Sequence, residues 1–181
     1  MQQAISIRPA VHTDLAALFA YLNDHLADNG KGGTPLFQPM ARSESRLPPE
    51  KEAGFITGLG TPVGDPGWRR VWLAFDAAGA IAGHVDLRAR PERPAAHRAL
   101  LGMGVHRAHR RQGLGARLID TAMAWAREQA GIDWIDLEVL SSNRVARDLY
   151  ARSGFALVGE IPDMFRIDGE QHAYTFMTRR P

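Results

Sequence analysis

Between Leu101 and Ala116 the chain passes from an apolar run through a basic turn into a helix that begins on two glycines. Leu101-Gly102-Met103-Gly104-Val105 reads as the end of a strand, His106 to Gln112 as the turn, and Gly113-Leu114-Gly115-Ala116 as the helix start. The helix runs on toward Ala130, with Leu114, Leu118, Ala122, Trp125 and Ala126 on one face and Arg117, Asp120, Thr121, Arg127 and Glu128 on the other. Gly131 stops it. The first N–H groups of a helix have no partner inside it, and the dipole makes that end positive, so the segment is built to accept an anion. Gly113 and Gly115 carry no side chain to hold a diphosphate away from the backbone, and Arg110 and Arg111 add positive charge. A phosphate-bearing ligand is therefore expected. It is not a triphosphate held by GxxxxGK[ST], which is missing, nor a dinucleotide held by GxGxxG, since Gly102-Met103-Gly104 has no third glycine at the right offset.

The remaining pattern surrounds this segment with strands and helices. Ile5-Ser6-Ile7 alternates as a first strand that Pro9 ends, and Thr13 or Asp14 caps a helix through Leu15, Leu18, Phe19 and Leu22. Gly30 to Pro49 is a long Gly-, Pro- and Ser-rich loop, followed by a short helix around Glu50 to Leu59. Arg70–Phe75 and Ala80–Leu87 form a hairpin about Asp76-Ala77-Ala78-Gly79, and Arg88 to His97 is a basic connection. After the strand Ala99–Val105 and the glycine-started helix come a strand at Trp134–Val139 and a helix at Arg144–Arg152, capped by Asn143. Strands at Phe155–Val158 and Ala173–Thr178, joined through Asp168-Gly169, complete the chain. Hairpins followed by strand–helix–strand–helix–strand predict an α/β (α+β) fold, a mixed central sheet with flanking helices. The helix from Gly113 then crosses over between two parallel strands, Leu100–Val105 and Trp134–Val139.

The 181 residues suit one domain. Cysteine is absent, which excludes disulfides, thiolate metal sites and a cysteine nucleophile. The formal charge of +2 is too small to argue for nucleic acid. No apolar run reaches the roughly 20 residues of a membrane span, and the N-terminal stretch lacks the features of a secretion signal, so a cytoplasmic protein is expected. Only Lys31 and Lys51 are lysines; the other cationic side chains are arginines, which suit bidentate contact with phosphate.

Arg110-x-x-Gly113-x-Gly115 resembles the coenzyme A pyrophosphate loop of the GCN5-related N-acetyltransferase (GNAT) family. Asn143-x-x-Ala146-x-x-Leu149-Tyr150-x-x-x-Gly154-Phe155 is similar to that family's second signature and follows at the family's distance. The resemblance spans Leu100 to Val158. It implies acetyl-CoA as co-substrate and no metal, with 1–98 the acceptor-shaping half of a single domain, 99–158 the acetyl-CoA-binding core and 159–181 terminal strands. Met103, Gly104 and Val105 would offer backbone groups to the pantetheine arm. Arg110, Arg111, Gln112, Gly113, Leu114, Gly115 and Ala116 would hold the pyrophosphate, and Asn143 and Ala146 would meet the pantetheine arm or order the next helix. Tyr150 would protonate the leaving thiolate. Candidate bases for the amine are Glu138 and Asp86, with His84, His97 and a water chain as alternatives. Unlike many relatives, His172 to Met177 holds no acid, so no substrate contact carries over from the last strand.

The partner implied is a small-molecule primary amine, with a homodimer as the assembly this reading admits and no nucleic acid or membrane. Two further readings stay open: acetylation of a protein N-terminus or lysine, and a non-catalytic, CoA-binding regulatory domain. The Gly30 to Pro49 loop would cap a small acceptor, whereas an open groove would suit a protein. Arg88, Arg90, Arg93 and Arg98 would attract an acidic acceptor.

Overall fold

The computed structural model describes residues 5–129 and 131–181. Its strands are β1 (Ser6–Pro9), β2 (Arg69–Phe75), β3 (Ile81–Ala89), β4 (Arg98–Val105), β5 (Trp134–Leu140), β6 (Ala156–Ile167) and β7 (Glu170–Arg179). The α-helices are α1 (Leu15–Leu26), α2 (Pro49–Gly60), α3 (Leu114–Glu128) and α4 (Arg144–Arg152). The expected end of α3 at Ala130 falls outside the described residues. The strands form a seven-stranded mixed sheet in the order β1-β2-β3-β4-β5-β7-β6. Only β4 and β5 are parallel, joined across α3 as the pattern predicts.

Period-two alternation sorts the side chains to two covered faces. On one, Val85, Leu87, Ala99, Leu101, Ile135 and Leu137 pack with Leu114, Leu118, Ile119, Ala122 and Met123 of α3, and Leu149 and Tyr150 of α4 join the edge of that cluster. On the other, Val71 and Leu73 pack with Leu15, Leu18, Leu22 and Leu26 of α1 and Phe55 of α2. Asp14 stands at the cap position of α1, yet its side chain does not cap it. The carboxylate instead accepts from Val11 N–H and pairs with Arg8.

The last hairpin departs most from the sequence reading. β6 continues past Val158 through Pro162 to Ile167, and β7 starts at Glu170. Proline within a run normally marks a strand end. Here β6 is the sheet edge, and a register shift between Ile161 and Phe165, with Asp163 at φ 50°, absorbs it.

The parallel pairing of β4 with β5 is short: Arg98, Ala99 and Leu100 lie beside Trp134, Ile135 and Asp136, and the ladder stops there. Buried Asp136 clamps this last pair. It accepts from Arg98 of β4, from Arg90 and from the Thr178 hydroxyl of β7. Burial pushes its carboxyl up, but the Arg98 and Thr178 hydrogen bonds outweigh that and hold it below the usual range. Because the folded pKa is depressed, the clamp's contribution is complete above the ordinary carboxyl value and is lost as pH falls through the folded one. Asp136→Asn is expected to lose about 1.5–3 kcal/mol, the worth of a hydrogen bond to a charged group, measured by urea unfolding at neutral pH. The difference from the parent should shrink in acid; an equal loss at both pH values would remove the carboxylate from the account.

Candidate functional site

The turn between β4 and α3 is shaped to leave backbone donors free. Arg111 (φ 60°) and Gly113 (φ 76°) both adopt left-handed conformations. Gly113 stands at the helix N-cap without a side-chain cap, and a Cβ there would meet open space. The first-turn N–H groups of α3 thus face outward as an anion-accepting end. Leu114 is buried and fixes this end to the core, while the Gln112 side chain donates to Ala108 O and closes the turn.

Two expectations about this loop change. Arg110 is not a free cation: it donates to Val105 O at 3.1 Å and lies 3.5 Å from Asp28, in the turn after α1. Arg111 is exposed and enters no ion pair among the described residues. Gly115, for its part, answers to packing. A Cβ there would lie 2.8 Å from Leu149 Cδ2 and 3.5 Å from Met103 Cε, so it lets α4 approach α3.

Beyond Leu100, β4 keeps β3 as its neighbour and has no residue paired on the β5 side. Met103, Gly104 and Val105 therefore present an open strand edge just before the loop. A wedge-shaped slot follows between the diverging strands. On the face carrying α1 and α2 its floor is made by Gly102 and Gly104, beside Asp86 and His84 in the β3–β4 register, and neighbouring side chains lie over both glycines. A Cβ on Gly102 would come within 2.6 Å of Asp86 Oδ1, and one on Gly104 within 2.7 Å of His25 Nε2.

The candidate bases separate clearly. Glu138 is exposed. Asp86 is buried, and its Oδ2 is shared between Arg88 at 3.2 Å and Arg69 at 3.5 Å, so it serves as a counter-ion. His84 is buried against the Tyr21 hydroxyl at 3.4 Å, and burial depresses its pKa to about 4. His97 lies at the opposite end of β4, where its carbonyl receives Asp133 and Trp134 N–H. Among the described residues no three His, Asp or Glu gather closely enough to hold a metal ion.

Tyr150 sits on α4 edge-on to Phe155, with ring centroids 6.0 Å apart. Burial, helped by nearby Tyr174, raises its hydroxyl to about 12. Tyr174 of β7 is raised to about 12 as well, by burial and by the negative charge of nearby Glu138. Tyr174 is the residue that sequence reasoning missed. Its signal was alternation: it pairs with Leu140, two residues beyond Glu138 on the same face. Asn143 is buried and caps α4, its Oδ1 accepting from Ala146 N–H at 3.3 Å.

A strap closes the cleft from above. Asn29, wholly buried, accepts from Phe37 and Gln38 N–H and donates to Gln38 O and Ser45 Oγ, folding the long loop on itself. Leu36 packs with Leu140, Ile167 and Tyr174, and Arg42 pairs with Asp168 and Glu170 at the β6–β7 turn. The loop thus reaches from α1 to the far hairpin. Two cavities, of about 360 and 440 Å³, lie elsewhere, beside Trp72 and Trp125 and beside Arg144 and Phe155.

A sequence profile of the acetyltransferase (GNAT) family matches residues 42–155. Over 100 residues the chain is 28% identical to the N-terminal acetyltransferase A complex catalytic subunit NAA10 of Arabidopsis thaliana. That match takes in 55% of this chain and 52% of the relative, so the chain spans about half the length of that protein. In three dimensions, 98% of the chain superimposes on 100% of an acetyltransferase of the GNAT family from Streptococcus pneumoniae, at 24% identity and a TM-score of 0.81. A GNAT superfamily phosphinothricin acetyltransferase from Sinorhizobium meliloti, solved in complex with AcCoA, matches 97% of this chain and 88% of its own, at 19% identity and a TM-score of 0.75. At these identities the two structures establish the fold.

The contact of Gly115 with Leu149 has a direct test. Gly115→Ala is expected to destabilise the chain by about 1–3 kcal/mol through overpacking. Combined with Leu149→Ala, the loss should be smaller than the sum of the two single losses, because the same atoms clash. Additive losses in thermal unfolding would show that Gly115 answers to something other than α4.

Proposed function

This chain belongs to the acetyltransferase (GNAT) family, whose profile covers more than half of it, and from that premise we propose that it transfers the acetyl group of acetyl-CoA to the primary amine of a small molecule. The observation that carries the reading is the uncapped α3 N-terminus opening directly onto the unpaired edge of β4. A diphosphate suits the first and an extended amide-bearing arm suits the second. Residues 99–158 then hold the donor, and the preceding half with the strap shapes the acceptor site. Arg111 and the N–H groups from Gly113 to Ala116 meet the diphosphate, with Arg110 ordering the turn. Met103 to Val105 line the arm. Asn143 acts through its cap of Ala146, which sets the direction of α4 and so the place of Tyr150.

Acetyl-CoA, when bound, supplies a thioester whose carbonyl carbon the amine attacks. Glu138 faces the cleft and accepts a proton from the incoming ammonium, with the Tyr174 hydroxyl beside it. Tyr150 holds its proton at neutral pH and gives it to the departing sulfur. Burial that weakens a tyrosine as an acid also strengthens a thiolate in the same place as a base, so the transfer stays feasible. The proton shed by the new amide nitrogen restores Tyr150. In the balance, one proton ends on the thiol and one in solvent.

A small acceptor is favoured by the strap from Asn29 to Arg42, which packs on Leu140 and Tyr174 beside Glu138 and narrows that face. The second reading, a protein N-terminus, is favoured by the NAA10 relative. An acceptor panel of small amines and N-terminal peptides, read by thiol release, separates them; turnover of peptides alone would overturn the small-molecule reading.

Two variants test the donor side. Gly113→Asp is expected to bind acetyl-CoA at least tenfold more weakly than Gly113→Asn in calorimetry. Both carry the same left-handed strain, and only Asp opposes the diphosphate. Equal affinities would remove the pyrophosphate from this loop. Tyr150→Phe keeps the ring and its packing. General acid catalysis typically contributes about 10²- to 10⁴-fold, so kcat should fall at least tenfold, roughly 1.4 kcal/mol in barrier, with acetyl-CoA affinity and thermal midpoint kept. A full-speed variant with a lowered midpoint would make Tyr150 a packing residue.

A further inference from the structure

The wall of the cleft opposite Glu138 carries more positive charge than the fold consumes. Arg69 and Arg88 converge on the single buried carboxylate Asp86. Lys51, in the first turn of α2, stands one helical turn before Phe55, whose ring lies under the Arg69 guanidinium, and so adds a further cation on this side. Arg69 is spoken for twice, since its guanidinium also lies 3.9 Å over the Phe55 ring and only 14% of its side chain is exposed. Arg88 is different. A third of its side chain, 34%, remains exposed, and it is near enough to the opposite wall to act on Tyr174.

These cations are not placed for the donor's phosphates. Arg88 is in register with Leu100, and the phosphate loop begins after Val105, about 16 Å farther along the strand at 3.3 Å per residue. They belong to the acceptor side, across the glycine floor from Glu138. β3 and β5 flank β4, so the two walls start about 10 Å apart where β4 and β5 still pair and stand farther apart at Glu138, a gap that the arginine side chain partly spans. One wall is cationic and the other holds the Glu138 carboxylate with the Tyr174 phenol, a polarity that complements a short zwitterion.

We propose that the acceptor is a primary amine that also carries an anionic group, a carboxylate or comparable oxyanion, held by Arg88 and Lys51 while its nitrogen faces Glu138. This rests on the acetyl-transfer reading above and adds the substrate class. Arg88 is then a specificity-determining residue, and Arg69 with Asp86 positions it. The anion approaches the outer edge of the Arg88 guanidinium, where the bond to Asp86 leaves donors unused.

The test compares α-, β- and γ-amino acids with the carboxamide of each, using acetyl-CoA and thiol release. At least one acid should exceed its amide tenfold or more in kcat/KM, about 1.4 kcal/mol, chiefly through KM. Arg88→Gln should cut that ratio at least fivefold. Lys51→Gln, which disturbs no ion pair of the sheet, should cut it at least threefold, so the proposal does not depend on how well the Arg88 variant folds. Acids and amides used equally, or a ratio untouched in both variants, would overturn the substrate class and leave acetyl transfer to amines standing. No thiol release from any acceptor, with acetyl-CoA bound, would overturn the small-amine reading as well.

Discussion

Parallel pairing between β4 and β5 ends at Leu100 and Asp136, and the Asp136 carboxylate fixes where it ends by gripping Arg98 on one strand and Thr178 beyond the other. A longer ladder would bring the strands together and bury the edge of Met103 to Val105. A weaker clamp would let the divergence spread toward the core under Ala99 and Ile135. Backbone groups left unpaired in this way are costly if buried and tolerable if water or a ligand meets them. The first N–H groups of α3 are in the same condition a few residues later. Two sets of unmet backbone donors and acceptors therefore lie end to end, and the proposed acetyl-CoA, an extended amide-bearing arm joined to a diphosphate, would answer both.

The β4–α3 loop and the end of α1 are bolted together at this same place. Arg107 of the loop donates to Asp24 and Asp28 near the end of α1, and Arg110 reaches Asp28 as well. Asp24 and Asp28 are held below the usual carboxyl range by the Arg107 hydrogen bonds. Single exposed pairs of this kind contribute about 0–1 kcal/mol each, so their weight lies in geometry. They set α1, with Tyr21 and His25, over Gly104, whose missing side chain makes room for the imidazoles of His25 and His84.

Much of this was legible in the chain. Period-two and period-3.6 patterns placed most of the strands and α3, and α4 matches Arg144–Arg152 at both ends because Asn143 announces its start and Gly154 follows its close. The glycine-started helix marked the uncapped turn on which the donor-side proposal rests. What the pattern lacked was distance. Gly115 and Gly113 look alike in sequence, yet one makes room for Leu149 and the other opens to solvent. Arg110 and Arg111 are neighbours, yet only coordinates show that Asp28, 82 residues away, takes the first. Asp86 and Glu138 are both strand acids, and what separates them is the pair of guanidiniums converging on Asp86. Tyr174 lies in a strand whose sequence holds no acid beside it, and the acid it meets stands on β5.

Hydrogen–deuterium exchange over Leu101 to Ala116, with and without acetyl-CoA, tests the central claim most directly. If the open edge of β4 and the first turn of α3 receive one ligand, both stretches should exchange more slowly when it is added, while β5 and β7 beyond the slot change little. Protection confined to other elements, or none at all under saturating acetyl-CoA, would contradict the account.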